Sequence, residues 1–152
     1  MLEFKIVRKR CSFSQALKED KYMVKVHTDG ASKGNPGPAS CGYVIYDNDD
    51  SVMYSESISL GKQTNNFAEY SGIIYALRKL IEFKIKEFKL IADSQLAIKQ
   101  INGQYKVKHP NIIPLHAEVM RLLKYFTKYE FIHTLRAGNS AADKMANESY
   151  KR

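Results

Sequence analysis

The sequence predicts an α/β domain with a mixed five-stranded sheet, in which three antiparallel strands are followed by parallel ones, and with helices on both faces. Two observations lead to this prediction. Short β-prone segments with alternating polarity occur in the first half of the chain and again at two later positions. Segments with apolar residues at three- and four-residue spacing lie between and after them. The predicted order is βββ-α-β-α-α-β-α, in one domain over residues 21–152 that follows a basic extension over residues 1–20.

The three antiparallel strands are predicted from alternation and from turn residues. Residues 22–28 alternate and end at Asp29-Gly30, and the stretch 30–40 is rich in Gly, Pro and Ser, which is typical of a loop. Residues 41–46 and 52–60 are predicted strands, and the polar turn 47–50 joins them into a hairpin.

The later elements follow from capping residues and apolar spacing. Thr64-Asn65-Asn66 offers cap side chains for a helix whose apolar stripe runs over 67–81, and a strand is predicted over 87–92. Ser94 is expected to cap a short helix that ends at Asn102-Gly103. A helix over 115–126, a strand over 129–135 and a last helix over 140–150 complete the chain.

Composition and charge restrict the function. Hydrophobic residues make up 44% and charged residues 26%, as in a soluble globular protein, and no apolar run approaches the ~18 to 20 residues of a membrane helix. We expect no secretory signal, and with only Cys11 and Cys41 we expect a reducing compartment, the cytoplasm. The net charge of +8 fits a polyanionic partner such as nucleic acid, or equally a merely basic protein.

Four carboxylates stand at positions where a solvated surface acid is not usual. Asp29 closes the first strand and is followed by Gly30, so backbone or ligand can approach it closely. Glu69 lies at the edge of a helix face that should pack on the sheet, Asp93 ends a strand, and Asp143 falls in the first turn of the last helix. Singly, each acid could serve a turn, a helix cap or the solvated surface. Together, four oxygen donors from four separated elements are what a hard divalent cation such as Mg²⁺ requires. The sequence has no Cys/His cluster with zinc spacing and no phosphate-binding glycine motif.

Four blocks of the sequence resemble type 1 ribonuclease H, in the order of that family: TDGASKGNPGPASCGYVI, TNNFAEYSGIIYAL, ADSQLAIKQI and HTLRAGNSAADKMANES. The resemblance implies an endonuclease that cuts the RNA strand of an RNA–DNA hybrid and leaves 5′-phosphate and 3′-hydroxyl ends. It further implies that two Mg²⁺ ions, or Mn²⁺ in their place, are bound by Asp29, Glu69, Asp93 and Asp143, with Asp29 shared between the two ions.

The resemblance also implies substrate contacts in the minor groove of the hybrid, from Gly30, Asn35, Asn65, Asn66 and Gln95. Asn and Gln side chains both donate and accept, so they can read base edges and ribose 2′-hydroxyls. The alternative is that Asn65 or Asn66 caps a helix and that Asn35 serves a turn.

Three further residues precede or flank Asp143. His133 has the spacing of a family histidine that assists proton transfer or product release, but it also lies in a predicted strand. Arg136 resembles the arginine of compact family members, which could contact a phosphate but not shuttle a proton. Asn139 is predicted to cap the last helix and to steady Asp143.

One departure from the family pattern concerns substrate affinity. Many members insert a basic handle that grips the DNA strand, and this chain has only NGQYKVKHPNIIP at that position. We hypothesise that the basic cluster Arg8-Lys9-Arg10 of the extension supplies non-specific affinity instead. The predicted protein is a monomer without an obligate protein partner or membrane contact. Alternatives are a nuclease of the same fold that acts on double-stranded RNA or another nucleic-acid structure, and a non-catalytic nucleic-acid-binding module.

Overall fold

A five-stranded mixed sheet organises the fold, with strand order β3-β2-β1-β4-β5. The computed structural model describes residues 23–135. The strands are β1 Val24–Ser32, β2 Gly37–Tyr46, β3 Val52–Gln63, β4 Glu87–Ala92 and β5 Lys128–His133. The helices are α1 Asn65–Glu82, α2 Gln95–Ile101 and α3 Ile113–Leu123.

The predicted mixed topology is confirmed. β1 pairs antiparallel with β2, and β2 pairs antiparallel with β3. β4 lies on the other side of β1 and pairs parallel with both β1 and β5. The predicted last helix, 140–150, and the extension over 1–20 lie outside the described residues, so the division of the chain at residue 20 stays a prediction.

The loop predicted over 30–40 is wrong for most of its length. β1 continues to Ser32 and β2 begins at Gly37, so only residues 33–36 connect them. The Lys33 N–H donates to the Pro38 carbonyl at 2.8 Å, which closes this tight connection. Small residues can be accommodated in paired strands. The hydrogen bonds between the strands therefore outweigh the local preference of Gly, Pro and Ser for turns. Asp29 therefore lies within β1 instead of at its end.

Helix α1 forms as its apolar period predicts. The Thr64 hydroxyl caps it by accepting a hydrogen bond from the Phe67 N–H at 3.2 Å, so the cap is the first of the three candidate residues. Most of the predicted stripe is buried, including Tyr70, Ile73 and Leu77.

Three other boundaries differ from the prediction. β3 extends to Gln63, because its pairing with β2 continues to Gly37. α3 begins two residues early and ends at Leu123, with no side-chain cap and with Pro114 in its first turn, where a missing N–H costs no helical hydrogen bond. β5 ends at His133, and Leu135 beyond it is 75% exposed.

The core lies between the sheet and the helices, and its aromatic centre is Phe88 of β4. The Phe88 ring contacts Phe126 and Phe131 edge to face at centroid distances of 4.7 and 5.7 Å. Burial of the Phe88 ring, which is 0% exposed, contributes about 1.5–3 kcal/mol to folding. Residues 102–112, where a handle would be inserted, contain neither helix nor strand. In residues 23–135, no helix is long and apolar enough to cross a membrane.

Candidate metal centre

The strand register brings the first two acids side by side. In the parallel pairing of β1 with β4, Thr28 is opposite Ala92. Asp29 is the next residue of β1 and Asp93 directly follows β4, so the two acids stand at the same height along the sheet. The prediction that Asp93 directly follows its strand is confirmed.

Two glycines allow α1 to bring Glu69 to the same place. A side chain at Gly30 would overlap the backbone of Ala68 and Glu69, so its absence permits close packing of α1 on β1. A Cβ at Gly72 would lie 3.0 Å from the Asp29 carbonyl oxygen. Glu69 is the fifth residue of α1, within this region of closest approach. Sequence reasoning missed Gly72, although a glycine inside a helical pattern is a recognised signal of close packing.

The three carboxylates converge. One oxygen from each of Asp29, Glu69 and Asp93 lies within 4.8 Å of the others. Asp29 is 3% exposed, and the other two acids are half-buried. Two oxygens bound to one cation at ~2.0–2.6 Å can be up to roughly 5 Å apart, so the spacing and the chemistry of this carboxylate triad fit a hard divalent ion. Asp143, the fourth predicted ligand, lies outside the described residues.

The Cys41 thiol does not compete for such an ion. Cys41 pairs with Gly30 in the sheet and is fully buried. Burial, followed by the negative charges of Glu56 and Asp29, raises the pKa of the Cys41 thiol to about 12. Since only the thiolate is a metal ligand, Cys41 stays a neutral part of the core at physiological pH.

Two of the predicted substrate-contact residues hold the turn between β1 and β2 against α1. The Asn65 side-chain oxygen accepts a hydrogen bond from the Ser32 N–H at 2.7 Å, and the Asn65 N–H donates to the Asn35 side-chain oxygen at 3.1 Å. These bonds use the carbonyl oxygens and do not involve the NH₂ groups of the two side chains. Asn35 and Asn65 therefore have a structural role that Ser32, missed by sequence reasoning, shares.

The other predicted residues occupy distinct places. Asn66 and Gln95 are exposed in the first turns of α1 and α2. Gly30 has the packing role described above, and its contact with a ribose stays a prediction. His133 is the exposed last residue of β5 and pairs with Ala92, next to Asp93 in the chain. Arg136 and Asn139 lie outside the described residues.

The sheet order and the carboxylate triad between β1, β4 and α1 define a ribonuclease H-like fold with a site suited to a divalent cation. Residues 27–149 match a sequence family described as reverse transcriptase-like. The chain belongs to this family, and within it to the type 1 ribonucleases H, because a ribonuclease HI relative and a ribonuclease H1 structure, each 36% identical to it, carry that name. The resemblance found in the sequence is thereby confirmed.

Three relatives illustrate the similarity. A bifunctional protein of Mycobacterium tuberculosis is 37% identical over 127 residues, which are 83% of this chain and 35% of that protein. The ribonuclease H1 crystal structure from Halobacterium salinarum has a TM-score of 0.82 at 36% identity, covering 85% of this chain and 98% of the other. LC11-RNase H1, solved in complex with an RNA/DNA hybrid, has a TM-score of 0.80 at 34% identity, covering 84% of this chain and 96% of the other. The chain thus spans about a third of the length of the bifunctional relative.

Proposed function

We propose that the protein hydrolyses the RNA strand of RNA–DNA hybrids and leaves 5′-phosphate and 3′-hydroxyl ends. The observation that carries this proposal is the convergence of Asp29, Glu69 and Asp93 within 4.8 Å. Membership of the ribonuclease H family supports it, as does the RNA/DNA hybrid bound by LC11-RNase H1. The net charge of +8 favours attraction of a polyanionic substrate.

The metal ligands in this proposal are the carboxylate triad together with Asp143. Two Mg²⁺ ions, or Mn²⁺ as a substitute, would supply an activated water and stabilise the charge on the leaving oxygen. The chain's own contribution is to hold hard anionic oxygens from separate elements in one place before substrate arrives. Asp29 is the most buried of the three, which suits a central ligand shared between two ions.

Substrate discrimination is assigned to amide side chains around the triad. Asn66 and Gln95 are exposed at the starts of the two helices that adjoin the triad, and each can donate to and accept from a ribose 2′-hydroxyl. Asn35 and Asn65 are proposed to contact the minor groove through the NH₂ groups, while their oxygens hold the turn. Asn139 is proposed to steady Asp143.

Two residues are proposed to assist near the scissile phosphate. His133 ends β5 beside the strand that leads to Asp93, which suits either a proton-transfer role or a merely structural one. Arg136 follows three residues later and would contact a phosphate, because a guanidinium remains charged.

The proposal is tested by cleavage of an end-labelled RNA–DNA hybrid with and without Mg²⁺, beside an RNA duplex and a DNA duplex of the same sequence. We expect metal-dependent cleavage of the hybrid alone. Preferential cleavage of the RNA duplex would indicate a different substrate, and metal-independent cleavage would remove the triad from the mechanism. The monomeric state and the cytoplasmic location predicted from the sequence stay predictions.

A further inference from the structure

We propose that Tyr70 and Gln100 are positioning residues, whose side-chain hydrogen bond fixes Glu69 relative to Asp93 and so sets the affinity of the carboxylate triad for its divalent cation. The inference deepens the proposed function, on which it rests for the assumption that the triad binds metal. Neither residue touches the triad's ion in this proposal. Tyr70 acts through the backbone of Glu69, which it directly follows, and Gln100 acts through α2, which begins two residues after Asp93.

The hydrogen bond joins the two helices that adjoin the triad. Tyr70 directly follows Glu69 on α1 and is 2% exposed, whereas Gln100 lies on α2 and is 8% exposed. The Tyr70 hydroxyl donates to the Gln100 side-chain oxygen at 2.7 Å. The bond therefore links α1 directly to α2.

Helix α2 depends on such contacts because it is short. It has seven residues, fewer than the ~12–15 that an isolated helix needs to be even marginally stable. Only Ser94, whose hydroxyl caps the helix by accepting from the Ala97 N–H at 3.2 Å, separates it from Asp93. A shift or rotation of α2 is therefore transmitted to the backbone that carries Asp93.

The rest of the Gln100 side chain and backbone is also engaged. The Gln100 NH₂ donates to the Lys106 carbonyl at 3.4 Å. His116 of α3 lies 3.3 Å from the Gln100 carbonyl through Nε2, and since a carbonyl only accepts, Nε2 carries the proton in this contact. Gln100 thus connects α1, α3 and the segment after α2, and the orientation of α2 is determined by directional bonds.

A buried amide and hydroxyl are costly unless they are paired, and an apolar pair of similar size would pack without that cost. Apolar packing permits sliding of a short helix, whereas a hydrogen bond of defined length does not. Carboxylate oxygens that must reach one cation require such a fixed separation, because metal affinity falls when supporting contacts are lost.

The test is a Mn²⁺ titration by isothermal calorimetry on the full chain without nucleic acid. Tyr70→Phe removes the hydroxyl and keeps the ring. Tyr43→Phe is the matched control, because the buried Tyr43 hydroxyl donates to Glu56 at 2.6 Å between β2 and β3, and so joins neither α1 nor α2. Asp93→Asn gives the baseline for binding outside the triad.

We expect both tyrosine variants to lose a similar few degrees of Tm, about 2–6 °C. Only Tyr70→Phe should weaken Mn²⁺ binding, by about fivefold, which is less than the 10- to 100-fold typical of a lost outer-shell partner in direct contact with a ligand. Unchanged Mn²⁺ affinity in Tyr70→Phe, or an equal loss in Tyr43→Phe, would overturn the inference.

A double variant separates positioning from stability. Tyr70→Phe with Gln100→Leu leaves no unpaired side chain, and water can replace the Gln100 NH₂ at the carbonyl of Lys106, which is an exposed residue. The double variant should therefore regain Tm relative to Tyr70→Phe while Mn²⁺ binding stays weak. Affinity that returns together with Tm would show a merely structural pair and reject the proposal. Wild-type protein that binds Mn²⁺ but does not cleave hybrid would reject the proposed function alone, whereas wild-type protein that binds no Mn²⁺ would reject both.

Discussion

Replacing Asp93 with Asn should stabilise the metal-free protein, because three carboxylates crowd one site. At 4.8 Å, two unit charges repel by about 1 kcal/mol in water and about 3.5 kcal/mol at an effective dielectric constant of about 20. Asp93 is half-buried, so the lower value is the better guide. The substitution removes both pair repulsions that involve Asp93, from Asp29 and Glu69. The expected gain is about 1–2 kcal/mol of unfolding free energy, allowing for the interactions that the neutral amide loses.

Urea unfolding in EDTA and in Mn²⁺ measures this effect. The unfolding free energy of wild-type protein should rise by about 2.7 kcal/mol when free Mn²⁺ is at 100 times its Kd. The unfolding free energy of Asp93→Asn should rise little under the same conditions, and this variant should not cleave hybrid. Asp50→Asn is the matched control, because Asp50 pairs with Lys25 at 2.6 Å on the exposed surface, and its loss should destabilise by at most about 1 kcal/mol. A less stable Asp93→Asn protein in EDTA, or an undiminished response to Mn²⁺, would refute the argument that these acids share one ion.

Three further expectations follow from single contacts. Gly30→Ala should lower the unfolding free energy by about 3 kcal/mol or more and weaken Mn²⁺ binding, because the added methyl group would overlap the backbone of α1. A loss below about 1 kcal/mol in urea unfolding would contradict the close approach of α1 to β1. His133→Ala should lower kcat for hybrid cleavage less than about tenfold, as expected of a strand residue, and a loss of about 10²-fold would assign it to proton transfer. Glu118 accepts hydrogen bonds from Arg121 and Arg78, which lower its pKa to about 2. The contribution of this ion pair to protein stability is therefore fully present above pH ~4.5 and is lost as pH falls toward 2. Glu118→Gln should flatten the pH dependence of the unfolding free energy in that window by less than about 1 kcal/mol, since both guanidinium groups are half exposed. An unchanged profile in urea unfolding would show that the ion pair contributes nothing.

The elements that the sequence predicts best are those in which local signals and packing agree. β4 has the predicted bounds of 87–92, and α2 begins after Ser94 and ends before Asn102-Gly103 as the capping residues indicate. In α1 the apolar period, the Thr64 cap and the buried face all favour the same helix. Where helix or strand propensity, capping and burial all favour the same boundary, tertiary contacts do not shift that boundary.

The boundaries that the sequence could not provide are those determined by partners distant in the chain. Gly37 and Pro38 have the composition of a turn, yet they pair with Gln63 and Lys62 of β3. The close approach of backbone to Gly30 is readable from the sequence and is confirmed, but nothing near Gly30 shows that Ala68 will cross over it. The hydrogen bond between Tyr70 and Gln100 spans thirty residues and leaves no periodic signature.

The convergence of the acids depends on a register that local sequence does not specify. Thr28 opposite Ala92 places Asp29 and Asp93 at the same height on neighbouring strands. Because side chains alternate between faces, a slip of one residue would direct the two carboxylates to opposite sides of the sheet. The same slip would direct Val26 and Leu90, which are opposite each other in the register and both fully buried, to opposite faces. The apolar core therefore enforces the register that assembles the acids, and a variant that loosens β1–β4 packing, such as Leu90→Ala, should weaken Mn²⁺ binding as well as stability.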